Sequence, residues 1–247
     1  MNLISRRSVL GATLLVLLTP APALAATSAV TVDGAVNIRD LGGATTGDGH
    51  TVRTGLVYRG GSLSRISDTG LTQLRGLGLR WVADSRGQDE RQRQGEDRLP
   101  PGVSLLSAPI PNNWNGATGG RSTPDPAVLA MFRAFVTDAQ ARAGVAAPLT
   151  KLAGAGVPLF CHDSAGVFRT GWLAAVLLTA LGVPRAQVDR DFLLSNEALG
   201  DRFAFTEYLD AAFDQVRQDY GSFEEFLSRG LGVTAQQQQR LRAVLLR

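Results

Sequence analysis

The stretch Val157-Pro158-Leu159-Phe160-Cys161-His162-Asp163-Ser164-Ala165-Gly166-Val167-Phe168-Arg169-Thr170-Gly171 decides the reading of this chain. A short apolar run, residues 157–161, has the length and composition of a buried strand. A glycine-containing loop follows, then an almost wholly apolar helix-like run over residues 172–181. Strand, loop and helix in that order hold a phosphate well, because N–H groups of the loop and of the helix N-terminus converge on the anion. Arg169 stands where the helix begins. Its charge opposes the positive end of the helix dipole there, so the position calls for an anionic partner. A guanidinium meets two phosphate oxygens at once. Ser164, Ala165, Gly166, Val167, Phe168, Arg169 and Thr170 are therefore the expected phosphate-binding residues, mostly through their main-chain amides.

The segments around this loop resemble those of the bacterial atypical protein tyrosine phosphatases, a family with dual-specificity and phosphoinositide-cleaving members. That family's loop runs His-Cys-x-Ala-Gly-Lys-Asp-Arg-Thr-Gly. His162, Ala165, Gly166, Arg169, Thr170 and Gly171 match it, whereas its Cys, Lys and Asp fall on Asp163, Val167 and Phe168. Asn37-Ile38-Arg39-Asp40-Leu41-Gly42-Gly43, Val57-Tyr58-Arg59-Gly60-Gly61, Asp84-Ser85-Arg86 with Glu90, and Tyr220-Gly221-Ser222 with Phe226-Leu227 resemble further family segments in the same order. The resemblance implies an α/β fold of the protein-tyrosine-phosphatase type. It also implies action on phosphomonoesters (phosphoproteins or phosphoinositides) with no metal or cofactor. By that route a nucleophile attacks phosphorus, Arg169 and the loop amides hold the equatorial oxygens, and Asp84 protonates the leaving group. His162, Asn37, Arg39, Asp40 and Arg59 take supporting roles around the loop.

Three roles are open to Asp163. As a structural carboxylate it fills the ring of N–H donors itself, with Arg169 as its ion-pair partner. As a nucleophile it forms an acyl phosphate, chemistry that normally needs a divalent metal, and no second carboxylate adjoins it in sequence. As a general base it activates water. Cys161 is the alternative nucleophile, but it lies two positions early, and a buried apolar cysteine is the commoner case. Asp84 either serves as the general acid or caps the next turn and pairs with Arg86. The enzyme reading is thus a weakly active phosphoric monoester hydrolase. The competing readings are a catalytically dead module that binds phosphate-like anions, and a purely structural loop.

Composition narrows the field. Residues 1–25 read as an export signal of the twin-arginine type: Ser5-Arg6-Arg7-Ser8, an apolar stretch over 9–18, then Ala23-Leu24-Ala25. The mature domain is expected at 26–247, in the periplasm or outside the cell, with no stable insertion in a membrane, since no stretch reaches the roughly 20 apolar residues of a span. Without Arg6 and Arg7 the formal charge of +3 falls to +1, which argues against nucleic acid as a partner. Cys161 is the only cysteine, so no intramolecular disulfide forms. His50 and His162, the two histidines, do not make a zinc site.

Periodicity and turn residues predict strands over 55–59, 79–84 and 103–108, with Asp48-Gly49 turning between extended segments. Helices are expected over 67–77, 127–142, 170–181, 185–196, 198–219, 223–229 and 235–246, so the C-terminal half is helical. Residues 90–98 read as a solvated helix or loop. Residues 109–126, rich in Pro, Gly and Asn, read as a long irregular loop, functional or disordered. Strands alternating with helices predict a small, mainly parallel sheet flanked by helices, with the ligand loop at the carboxyl end of a central strand.

Overall fold

The structure, a computed structural model, describes residues 29–112 and 120–247. The proposed signal segment and the middle of the 109–126 loop lie outside the described residues. Among the described residues no helix is long and apolar enough to cross a membrane.

Among the described residues five strands form one sheet: β1 (Arg39–Asp40), β2 (Val57–Gly60), β3 (Trp81–Asp84), β4 (Ser104–Ser107) and β5 (Leu159–His162), in the order β1-β2-β5-β3-β4. Only β1 runs antiparallel to its neighbour. β1, β2, β3 and β5 bury both faces of the sheet, and the period-2 alternation of strand side chains divides them, whereas the edge strand β4 is mostly exposed. Val57, Ala83, Leu159 and Cys161 face the larger core, whereas Tyr58, Val82 and Phe160 face a smaller one with Ile38, Leu63, Ile66 and Leu74. β5 is thereby the middle strand, buried at every residue.

Helix α1 (Asp68–Gly76) starts where Ser67 accepts the Gly70 N–H, as its capping sequence predicts. Helix α2 (Gln88–Gln94) has no buried residues. The predicted helix over 127–142 is two helices, α3 (Pro126–Thr137) and α4 (Ala139–Ala153). Asp138 is extended between them, and its carboxylate accepts the Ala141 N–H. A side chain able to cap a new helix competes there with continuation of the old one. Helix α5 (Arg169–Ala180) is buried along most of its length, which explains its apolar sequence.

Helix α6 (Arg185–Leu199) runs past the predicted end and stops at Gly200, which is left-handed (φ 68°). The helix expected from 198 begins only at α7 (Thr206–Tyr220). The Asn196 side chain holds the link between them by accepting from Phe203 and Ala204 N–H. The segment 223–229 splits into α8 (Phe223–Glu225) and a π-helical turn, Phe226–Gly230. Helix α9 (Ala235–Leu245) closes the chain behind a Thr234–Gln237 capping box.

Candidate functional site

The loop of residues 163–168 leaves the carboxyl end of β5 and enters α5. Gly166 turns it with φ 75°, and a Cβ there would come within 2.4 Å of the Gly60 carbonyl carbon, so only glycine fits. Three successive carbonyls are held from behind. Ser62 N–H donates to Ser164 O (3.2 Å), Asn37 Nδ2 donates to Ala165 O (3.1 Å) and Gly166 O (3.0 Å), and Arg59 donates to Gly166 O (2.7 Å). In a trans peptide the carbonyl and the next N–H point opposite ways. Pinning the carbonyls therefore turns the following amides inward.

The inward amides meet a carboxylate of the chain itself. Asp163 Oδ1 accepts from Ala165 N–H (3.0 Å) and Gly166 N–H (2.5 Å), and Oδ2 accepts from Arg169 N–H (3.0 Å) and Thr170 N–H (3.3 Å). The last two are orphan donors of the α5 N-terminus, which has no side-chain cap from Phe168. Asp163 therefore caps α5 from the other end of the loop and balances its dipole. The Val167 N–H meets no acceptor among the described residues. The Val167 side chain is buried in the larger core, and Phe168 packs edge-on against Phe132 and Tyr208.

Arg169 is 3% exposed. Its guanidinium takes Glu90 at two points (2.7 and 2.9 Å), Ser85 O (3.2 Å) and Ser164 Oγ (3.4 Å), while its Nε lies 3.8 Å from Asp163 Oδ2. The anion that the position calls for is thus supplied within the chain, chiefly by Glu90. Burial works against the Arg169 charge, but Asp163 and Glu90 outweigh it and raise its pKa.

Two buried networks brace the loop. On one side His162 joins Asp163 O through Nδ1 (3.1 Å) and Asp97 through Nε2 (2.8 Å). Arg86 bridges Asp84 and Asp97 at 2.9 and 3.0 Å. Burial lowers the His162 pKa, but the bond to Asp97 and its charge, with that of Asp84, raise it by more. Asp84, Asp97 and His162 lie close enough to hold a metal ion, yet Arg86 already occupies the space between the carboxylates with its own charge. On the other side Asp191 takes Arg39 Nε (2.8 Å) and Arg59 (2.5 Å), and Ser195 Oγ accepts from Asn37 and Arg39. Burial and the neighbouring Arg39 charge lower the Arg59 pKa to about 10, so it stays charged at neutral pH.

The remaining expected site residues fall as follows. His162, Asn37 and Arg59 touch the loop directly, and Arg39 reaches it through Asn37 and Asp191. Asp40 does not support the loop: its oxygens accept from Gly42 and Gly55 N–H and tie down the β1–β2 connection instead. Asp84 is wholly buried. Its carboxylate both accepts the Arg86 N–H, capping the turn, and takes the Arg86 guanidinium. Cys161 is buried in the larger core, and burial pushes its thiol up to about 12. Residues 90–98 are not simply solvated, because Glu90 binds Arg169 and the Asp97 carboxylate is buried on His162 and Arg86.

Sequence reasoning missed Asp97, Asp191 and Ser195, and singled out Glu90 only within a family-like segment, not as the partner of Arg169. Asp191 and Ser195 carried a signal: with Val188 and Phe192 they share the buried face of α6 at helical spacing. Asp97, inside a charged run, carried none.

A strand–loop–helix with an arginine at the helix start, at the carboxyl end of the middle strand of a mainly parallel sheet, is consistent with an α/β protein of the protein-tyrosine-phosphatase type. The chain belongs to the tyrosine phosphatase family, whose model matches residues 30–247. It is 30% identical to the triple specificity protein phosphatase PtpB of Mycobacterium tuberculosis, over 86% of this chain and 97% of that protein. It is 29% identical to a provisionally named tyrosine-protein phosphatase of Cupriavidus necator, over 81% of this chain and 83% of that protein.

Proposed function

We propose that this chain is a non-hydrolysing member of its family, which recognises phosphate-type groups of phosphorylated ligands at residues 163–169 without breaking a P–O bond. One observation carries the reading. A carboxylate has about four lone-pair positions, and four main-chain N–H groups take those of Asp163. Attack on phosphorus and abstraction of a proton from water both need a free pair. While the loop keeps this shape, Asp163 offers neither. Cys161 is no substitute, since a thiol near pKa 12 is not a thiolate at neutral pH. Asp84, the family-type acid, is engaged with Arg86.

Recognition rests on the Val167 N–H, which Asp163 does not use, and on the Arg169 guanidinium, which a phosphate has to win from Glu90. It is weak. A phosphate oxygen about 4 Å from the Asp163 carboxylate feels a repulsion of roughly 4 kcal/mol at an effective dielectric near 20, a thousandfold in affinity if nothing offsets it. Export through the residue 1–25 signal places the domain in the periplasm or outside the cell. A reporter fused after that segment should leave the cytoplasm, and replacing Arg6 and Arg7 by lysine should retain it inside.

An aryl phosphate assay tests the main reading, with no turnover expected above the buffer rate. A second reading, slow hydrolysis, is favoured by the likeness to a relative named as a phosphatase. Turnover lost in Asp163→Ala but kept in Cys161→Ser would establish it, by a carboxylate route. Orthovanadate raising the melting temperature without turnover supports recognition, whereas a melting temperature indifferent to it removes the binding half of the proposal.

A further inference from the structure

We propose that Asp191, on α6, is the positioning residue of the loop: through Arg39 and Arg59 it sets the direction in which the Gly166 and Val167 amides point. The inference rests in part on the reading above, in which the Val167 N–H is offered to a phosphate-type group while the Gly166 N–H is held by Asp163.

Asp191 is 5% exposed and meets the loop through Arg39 and Arg59, the second of which holds the Gly166 carbonyl. Two arginines converge on its side chain, Arg39 on Oδ1 and Arg59 on Oδ2, and its own carbonyl accepts a further bond from Arg39 at 2.7 Å. Each arginine then passes its orientation to the loop. Arg59, with one arm on Asp191, sets the other on Gly166 O. Arg39 donates to Asn37 Oδ1 at 2.5 Å, which leaves the Asn37 amide nitrogen facing Ala165 O and Gly166 O. Asn37 sits at φ 59°, a left-handed backbone that asparagine tolerates, so these partners hold it in a conformation few other residues accept.

The carboxylate also makes this arrangement electrostatically tolerable. Two buried guanidinium groups repel each other, and the Arg39 charge already lowers the Arg59 pKa. Asp191 is held ionised: burial pushes its pKa up, and the two arginines pull it down by more. Without that negative charge the arginines separate, Gly166 O loses its arm, and peptide planes 165–166 and 166–167 are free to turn. None of this involves contact between Asp191 and an anion in the loop, so its part is one of orientation.

The test is Asp191→Asn in the full-length protein, which keeps the shape and removes the charge. Residue-resolved amide exchange should rise roughly tenfold or more at Gly166 and Val167, with the β5 amides unchanged. Orthovanadate affinity should fall by a similar factor. Should Asp191→Asn fail to fold, Arg59→Lys keeps the charge beside Asp191 and loses the second arm. It should loosen Val167, whose N–H shares a peptide plane with Gly166 O, more than Gly166. Unchanged exchange at Val167 in the variant that folds, or protection lost evenly through β5 and α5, overturns the assignment. Wild-type protein that ignores orthovanadate defeats the recognition reading instead, and the exchange measurement still decides the role of Asp191.

Discussion

Arg169 and Glu90 form a two-point ion pair at 2.7 and 2.9 Å across the mouth of the loop, although Asp163 is the acid nearer in sequence. The guanidinium fork that a phosphate would take is engaged by a carboxylate from a different element, while Asp163 spends its oxygens on main-chain amides. Two acids thus divide between them the contacts that one tetrahedral anion would otherwise make.

Glu90→Gln should release the fork. Orthovanadate should bind several-fold more tightly to this variant, as read from the melting-temperature shift, while stability falls by up to about 3–5 kcal/mol, because the buried Arg169 loses its two-point partner. Burial pushes the Glu90 pKa up, but the bond to Arg169 and its charge bring it below the ordinary 4.5. The contribution of the pair to stability is therefore present above that value and fades as pH falls through the lower folded value. Weaker orthovanadate binding in Glu90→Gln would refute a competing role for this glutamate.

Asp163→Ala should be destabilising by about 2–5 kcal/mol, since it leaves buried N–H groups without an acceptor and removes the cap of α5. Urea unfolding followed by tryptophan fluorescence measures it. A loss below 1 kcal/mol would mean that the amides find other partners readily.

His162 should make stability fall as pH rises. Its two ring nitrogens face two acceptors, Asp163 O and Asp97, and only the imidazolium can donate to both. Asp84, Arg86 and Asp97 are the charged groups around it. With the folded pKa above the ordinary 6.5, the stabilisation is complete below 6.5 and is lost as pH rises through the folded value. The urea midpoint should drop from about pH 6 to about pH 8.5, by at most roughly tenfold in the folding equilibrium per pH unit. Asp97→Asn should flatten the profile, and an unchanged slope in that variant would count against the assignment.

Asp84→Asn should cost about 3–5 kcal/mol, because it leaves the buried Arg86 guanidinium short of its nearest counter-charge. A variant as stable as the parent would show that Asp84 is free for another task, proton donation included.

Cys161 should resist iodoacetamide in the native protein at about pH 8 and react only once urea exposes it. Rapid native labelling would mean that the strand opens toward the loop.

Much of this protein was legible in the residues alone, where the signal is local. The apolar run before His162, the glycine at 166 and the arginine at 169 specify strand, turn and helix within a dozen positions, because backbone preferences act over that range. The Ser67 cap and the parallel sheet follow in the same way. The two missed helix breaks, at Asp138 and Gly200, are local as well, but there one capping side chain or one left-handed glycine overrides a continuing helical pattern.

Which partner each charge chooses was not legible. Asp163 and Arg169 are six residues apart and read as a pair, yet the sheet brings Glu90, 79 positions away, to the arginine, and α6 brings Asp191 to Arg39 and Arg59. Residue type fixes what a buried carboxylate requires, an ion or hydrogen-bond donors, because leaving it bare in a low-dielectric interior is too costly. Which of several available donors satisfies it depends on distances set by packing, and packing is a property of the whole fold.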